Sequence, residues 1–205
     1  MVINAIKSLI QRLYPYGIAR KGKAVYLTFD DGPIPEVTPN VLAVLDKYKV
    51  KATFFMVGDN IDKYPEVFEQ VLKAGHSIGN HSYNHIKGFR FSTEAYLANV
   101  ARCQEAIERH GGHTCLFRPP YGRTFWWQRR ALVKRGYTIC LWDVLTRDYN
   151  PRRTPEAMLA TVMRQTRPGS IINFHDSVKS NERMLTVLPQ VIEWLQKEGY
   201  EIATL

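Results

Sequence analysis

Short continuous apolar runs alternate along this chain with stretches in which apolar residues recur at helical spacing. Ala24 to Phe29 is such a run and predicts a first strand, and Val41, Leu42, Leu45 and Tyr48 then follow a helical period. Ala52 to Val57 predicts a second strand, ended by Gly58-Asp59-Asn60. Pro65 opens a helix carrying Val67, Phe68, Val71 and Leu72, and Gly75 closes it. His76 to Gly79 predicts a third strand, and Ser92 has N-cap chemistry for a long helix that stops at Gly111-Gly112. A fourth strand over Thr114 to Phe117, a helix over Phe125 to Arg135 and a fifth strand over Tyr137 to Trp142 follow. Thr154-Pro155-Glu156 opens a helix to Arg167, Ser170 to Phe174 is a sixth strand, Glu182 to Lys197 a last helix and Tyr200 to Leu205 a seventh strand.

Continuous apolar strands separated by helices are the pattern of a parallel sheet covered by helices, because both sheet faces are then buried. The expected fold is therefore α/β, a compact, incomplete (β/α) barrel with parallel strands and outer helices. Before it, Ile3, Ile6, Leu9, Ile10 and Leu13 predict an amphipathic helix, so the expected organisation is a lead-in over residues 1–22 and one domain over 23–205. The lead-in is broken by Asn4, Lys7, Ser8 and Gln11 and has no small-residue cleavage site, which fails the signal-peptide pattern. It is also too short to span a bilayer. Packing on the domain is the expectation, with membrane contact through Lys7 and Arg12 open beside it, and a cytoplasmic location is the default.

Composition narrows this picture. The 205 residues are 45% apolar, enough for one full core. Cys103, Cys115 and Cys140 are too scattered for a disulfide framework or a paired-cysteine metal site and read as buried free thiols. The net charge of +9 is spread over short groups such as Arg20-Lys21-Gly22-Lys23, Arg129-Arg130 and Arg152-Arg153, without a recognition-helix pattern. Nucleic acid is accordingly not an expected partner.

The candidate chemistry lies where strands end. Asp30 and Asp31, His81 and His85, Arg118 to Tyr121, Asp143 to Asp148, and His175 with Asp176 each follow a predicted strand. Barrels and open α/β sheets build active sites at that edge. An Asp-Asp-Gly triplet alone is commonly a turn, but its company at the other strand ends argues against that reading. His81 and His85, four residues apart, would share one face of a helical turn, and a carboxylate from another strand end would complete a His, His, Asp set. Three ligands leave room for water or substrate, which marks a catalytic metal site. One acid of the pair would then bind metal while its neighbour takes a proton from water. His175, following Ile171-Ile172-Asn173-Phe174, suits a general acid, whereas His76, His110 and His113 have no such context.

Thr28-Phe29-Asp30-Asp31-Gly32, His81-Ser82-Tyr83-Asn84-His85 and Arg118-Pro119-Pro120-Tyr121-Gly122 together resemble the motifs of the polysaccharide deacetylase family, the NodB-homology domain of carbohydrate esterase family 4. The resemblance extends from about Lys23 to Leu205 and implies that family's distorted barrel. It implies Asp30 as general base and Asp31, His81 and His85 as ligands of one divalent metal ion, zinc first, with cobalt, nickel or manganese as alternatives. Arg118 would orient Asp30, the Tyr121 backbone N–H would stabilise an oxyanion, and Asp148 would orient His175. Trp142, Tyr149, Phe174 and Pro120 would line the sugar groove. Leu145, Tyr149 and Asn173 depart from the family pattern, and are read as leaving metal and base untouched while bearing on the groove.

The implied function is removal of N-acetyl groups from amino sugars of a chitin-like oligomer or peptidoglycan, with acetate as product. An O-acetyl esterase of xylan type, or an amidase or deformylase acting on a lipid-linked sugar or small molecule, keeps fold and metal and changes the bond. A non-catalytic basic glycan or nucleic-acid binder would have no evident need of the whole constellation. The expected partner is a carbohydrate substrate, met by a monomer.

Overall fold

The computed structural model describes residues 22–205, so the amphipathic lead-in lies outside the described residues. Among the described residues there are eight strands: β1 (Ala24–Asp30), β2 (Thr53–Met56), β3 (Ser77–Asn80), β4 (Leu116–Phe117), β5 (Thr138–Ile139), β6 (Val144–Leu145), β7 (Ile171–His175) and β8 (Glu201–Ala203). Between them lie α1 (Thr38–Lys47), α2 (Gly58–Lys63), α3 (Pro65–Lys73), α4 (Thr93–Arg109), α5 (Trp126–Lys134), α6 (Pro155–Gln165) and α7 (Asn181–Lys197). No helix among the described residues is long and apolar enough to cross a membrane.

All pairings are parallel, in the order β5-β4-β3-β2-β1-β7-β6, with β8 added against the start of β1. The strands at the two ends of this path follow each other in sequence, which forces the sheet to curl. Laid flat, seven strands spaced about 4.8 Å apart would separate β5 from β6 by roughly 29 Å. The five residue steps from Ile139 to Val144 reach at most about 18 Å. The sheet therefore closes into a distorted barrel whose seam, between β5 and β6, carries no ladder and is spanned by residues 140–143.

The sequence pattern merges these elements. Tyr137 to Trp142 reads as one strand, yet just Thr138 and Ile139 pair before the chain turns into the seam and re-enters the sheet as the two-residue β6. Gly58-Asp59-Asn60 reads as a stop, but it begins the short α2, with Val57 as its N-cap.

Strand alternation divides β1 between two environments. Val25, Leu27 and Phe29 point outward into a core with Val41, Leu45, Phe68, Val71, Leu188 and Val191 from the covering helices. Phe54 and Phe174 flank Phe29 in register on β2 and β7, with ring centroids 5.0 and 5.7 Å away. Thr28 and Asp30 point the other way, into the barrel, where Asn173 and Arg118 join them fully buried. A second apolar cluster, including Tyr96, Val100, Phe117, Leu132 and Ile139, fixes α4 and α5 against β4 and β5. Cys103 and Cys140 are buried as expected, whereas Cys115 is exposed.

Candidate metal centre and active site

The strand ends deliver the titratable groups to one mouth of the barrel. Asp30 is the last residue of β1 and pairs in register with His175, the last residue of β7. His81 follows β3 directly and Arg118 follows β4 directly. A cleft of about 970 Å³ opens over them, lined by Asp30, Asp31, His81, His85, Tyr121 and His175, with Trp142 and Tyr149 on its wall.

Asp31 has left the strand. Its φ of 88° turns the carboxylate away from Asp30, so the two neighbours serve different partners. The turn is braced by Asp176, whose Oδ1 accepts from Gly32 N at 3.0 Å while its Oδ2 accepts from Thr38 Oγ1 at 2.6 Å. A Cβ at residue 32 would lie 2.0 Å from Asp176 Oδ2, so the brace requires glycine. Burial pushes the Asp176 carboxyl up to about 8, and the charge of Asp31 adds to the rise.

His81 and His85 do not share a helical turn, contrary to the spacing argument. They sit in an irregular loop in which Ser82 and His85 adopt positive φ, 63° and 51°. Side chains replace the missing helical bonds: Asn80 Oδ1 accepts from Ser82 N, and Asn99 Oδ1 accepts from Tyr83 N and Asn84 N. The loop still brings the two rings to 5.1 Å between centroids.

Asp31, His81 and His85 each offer a ligand atom, all within 4.8 Å of one another. Asp31 Oδ1 lies 3.2 Å from His85 Nε2 and 3.7 Å from His81 Nε2, and this buried oxygen accepts no hydrogen bond. His81 Nδ1 donates to the Arg118 carbonyl at 2.7 Å, which leaves the Nε2 lone pair facing Asp31. Burial lowers the His81 pKa to about 4, with the neighbouring His85 adding to the fall, so the ring is a neutral donor of the kind a metal requires. Burial works against the charge of Asp31, but the His85 imidazole beside it, with His175 and His81, holds the carboxyl well below its usual range. An orphaned carboxylate oxygen facing two imidazole nitrogens fits one divalent cation of zinc type.

Asp30 is 2% exposed and Arg118 is fully buried. Arg118 Nη1 donates to Asp30 Oδ1 at 2.7 Å, Thr28 Oγ1 at 2.8 Å and Asn173 Oδ1 at 2.7 Å. Its Nε donates to the Cys140 carbonyl at 3.0 Å, and its Nη2 to that of Leu141 at 3.5 Å. Asn173 Nδ2 donates to Asp30 Oδ2 at 3.1 Å. The departure at Asn173 therefore touches the acid itself, which corrects its reading as a groove residue. Asn173 lies two residues before His175 on one strand, so period two alone places both on the same face.

Asp148 grips His175 twice, accepting from its backbone N at 2.7 Å and pairing with its Nδ1 at 2.8 Å. Burial opposes the charged imidazole, but the Asp148 bond and charge, with Asp30 and Asp31, push His175 up to about 9. Tyr149 packs edge-on against this ring at 5.0 Å. Tyr121 has φ 61°, and its ring lies tilted beside that of His85 with centroids 4.8 Å apart. With Arg147 at 59°, five of the six non-glycine residues of positive φ among the described residues, Lys49 being the sixth, lie in these loops. Such strain gathers where surrounding bonds hold residues for a purpose other than stability.

Two expected groove residues lie elsewhere. Phe174 is on the outward face of β7, buried against Phe29, because its neighbours Asn173 and His175 take the inward face. Pro120 is the buried first residue of the turn that carries Tyr121 and does not line the cleft.

Residues 17–139 match the polysaccharide deacetylase family model. A peptidoglycan-N-acetylglucosamine deacetylase of Bacillus cereus is 33% identical over 185 residues, covering 89% of this chain and 86% of the relative. A chitooligosaccharide deacetylase of Bradyrhizobium is 32% identical, covering 93% of this chain and 92% of the relative. The crystal structure of a peptidoglycan N-acetylglucosamine deacetylase in complex with 4-naphthalen-1-yl-N-oxidanyl-benzamide superposes with a TM-score of 0.91 at 29% identity, covering 96% of this chain and 92% of that one.

Proposed function

The chain belongs to the polysaccharide deacetylase family, and from that membership we propose that it is a metal-dependent hydrolase removing N-acetyl groups from amino sugars of a glycan and releasing acetate. The observation that carries this reading is the buried Asp31 Oδ1 facing the Nε2 atoms of both His81 and His85.

Asp31, His81 and His85 would hold one divalent ion. When bound, the ion supplies Lewis acidity for the acetyl carbonyl and makes a nearby water more acidic. Asp30 takes a proton from the attacking water, and Arg118 and Asn173 fix the direction in which its carboxylate faces. The backbone N–H of Tyr121, at the rim beside His85, donates to the oxygen that gains charge as water adds to the carbonyl carbon. His175, held on Nδ1 by Asp148, gives a proton to the amine as the C–N bond breaks. Trp142 and Tyr149 supply aromatic wall for a sugar ring.

The glycan itself is assigned by likeness: the relatives named above act on peptidoglycan and on chitooligosaccharides, and both carry the N-acetylglucosamine unit that this cleft would accept. Acetate release from N-acetylated chito-oligosaccharides and from peptidoglycan fragments tests the proposal. Chelation should abolish release and zinc should restore it. Release that survives chelation, or zinc-loaded protein inert on both substrates, would refute the reading.

A further inference from the structure

A second cavity, of about 340 Å³, lies beside the catalytic cleft and shares Trp142 and Leu145 with it. Its wall carries Arg147, Arg153 and Arg164. One acid, Asp143, also lines it, but that carboxylate is already engaged: Oδ1 accepts from Ile171 N at 2.7 Å and Oδ2 from Ser170 Oγ at 2.8 Å. Among the described residues no carboxylate stands within ion-pair distance of any of the three arginines.

The arginines are held differently. Arg153 is part-buried and fixed by Nη2, which donates to the Ala157 carbonyl and to Thr161 Oγ1 on α6, while its buried Nε has no acceptor. Arg147 and Arg164 are exposed, and Arg147 sits at positive φ directly before Asp148, the partner of His175. Three guanidiniums lining one polar hollow bring like charges together there, and an entering anion would offset their repulsion. Guanidinium geometry matches the paired oxygens of a carboxylate or phosphate.

The geometry points to an anion subsite, beyond the Trp142 wall of the cleft, that binds a carboxylate or phosphate carried by the glycan next to the sugar being deacetylated. This assignment of substrate class rests on the deacetylase reading above. It implies that an acidic glycan is preferred to a neutral one of equal length.

Two measurements on zinc-loaded protein test it, using wild type, the double variant Arg147→Gln/Arg164→Gln, and Arg152→Gln as a control for net charge outside the cavity. In the first, inorganic phosphate is titrated calorimetrically at fixed ionic strength. The double variant should bind about tenfold more weakly, the scale of losing charge-assisted contacts. Equal affinity, or an equal loss in Arg152→Gln, would overturn the site. In the second, kcat/KM for acetate release is compared between a neutral chito-oligosaccharide and an N-acetylated oligosaccharide of the same length bearing a free carboxylate. Wild type should favour the acidic substrate by about tenfold through KM, and the double variant should lose that preference without change on the neutral one. A phosphate effect with the substrate ratio unmoved would overturn the glycan as the source of the anion. If wild type releases no acetate from either substrate, the deacetylase reading fails, and the phosphate titration still decides whether the cavity binds anions.

Discussion

Arg118→Met separates the electrostatic role of this guanidinium from its bulk. Methionine keeps an unbranched apolar stem under Phe55, whose ring centroid lies 3.9 Å from the guanidinium carbon. What is lost is the donor to Asp30 Oδ1 at 2.7 Å, leaving a carboxylate that is 2% exposed with one remaining neutral donor, Asn173. Removing one member of a buried ion pair costs about 3–5 kcal/mol, because the other charge stays behind. For a domain of this size that is a fall of roughly 6–20 °C in Tm. Adding Asp30→Asn removes the stranded charge and should recover much of the loss, leaving about 1–2 kcal/mol for the carbonyls of Cys140 and Leu141 and for the amide now facing Asn173. Urea unfolding of the two single variants and the double variant, at one pH and with zinc chelated, measures the cycle. A single Arg118→Met cost below about 1 kcal/mol, or a double variant no more stable than Arg118→Met, would show that the pair is not what holds this acid.

The remaining predictions concern the neighbours of this pair. His175 has a folded pKa raised from 6.5 to about 9, so its stabilising contribution is complete below pH 6.5 and is lost as pH rises through about 9. That change amounts to up to about 3 kcal/mol, and subtracting the urea stability of Asp148→Asn from wild type at each pH should isolate it; parallel curves would contradict the assignment. Asn173→Leu removes a donor from Asp30 and an acceptor from Arg118 and should cost about 1–3 kcal/mol of stability, with the catalytic loss in kcat; a change confined to KM would place Asn173 in substrate binding instead. Gly32→Ala drives a methyl into Asp176, should destabilise by about 1–3 kcal/mol and weaken zinc binding by displacing Asp31; unchanged zinc affinity would falsify the bracing role of Asp176.

The parts of this molecule that were legible in sequence are those set by short-range rules. An apolar run ending in Asp30-Asp31-Gly32 places one acid at a strand tip and the next beyond it, and the structure adds that Asp31 takes a φ of 88°. His81, Arg118 and His175 were found because each stands at or just past a strand end. What escaped depends on partners distant in sequence. The His81 to His85 loop is shaped by Asn99, and the β1 turn by Asp176. Asn173 was visible as an unusual residue but acquires its meaning across β1, from an acid 143 positions away. Phe174, placed in the groove by the family resemblance, is sent outward by strand parity. Strand β6 escaped because its two residues give no periodicity, and β5 was read as part of a longer strand over Tyr137 to Trp142.

The barrel seam gives Arg118 a further significance. Where β5 and β6 have no ladder, this side chain donates to the Cys140 and Leu141 carbonyls and so ties the linking segment to β1 and β7. A descendant of this chain that lost its acid and its chemistry would still be under pressure to keep the arginine, simply to stay closed. The presence of that arginine in a related sequence is thus weak testimony that the relative is an enzyme, and the adjoining acids carry the more telling record.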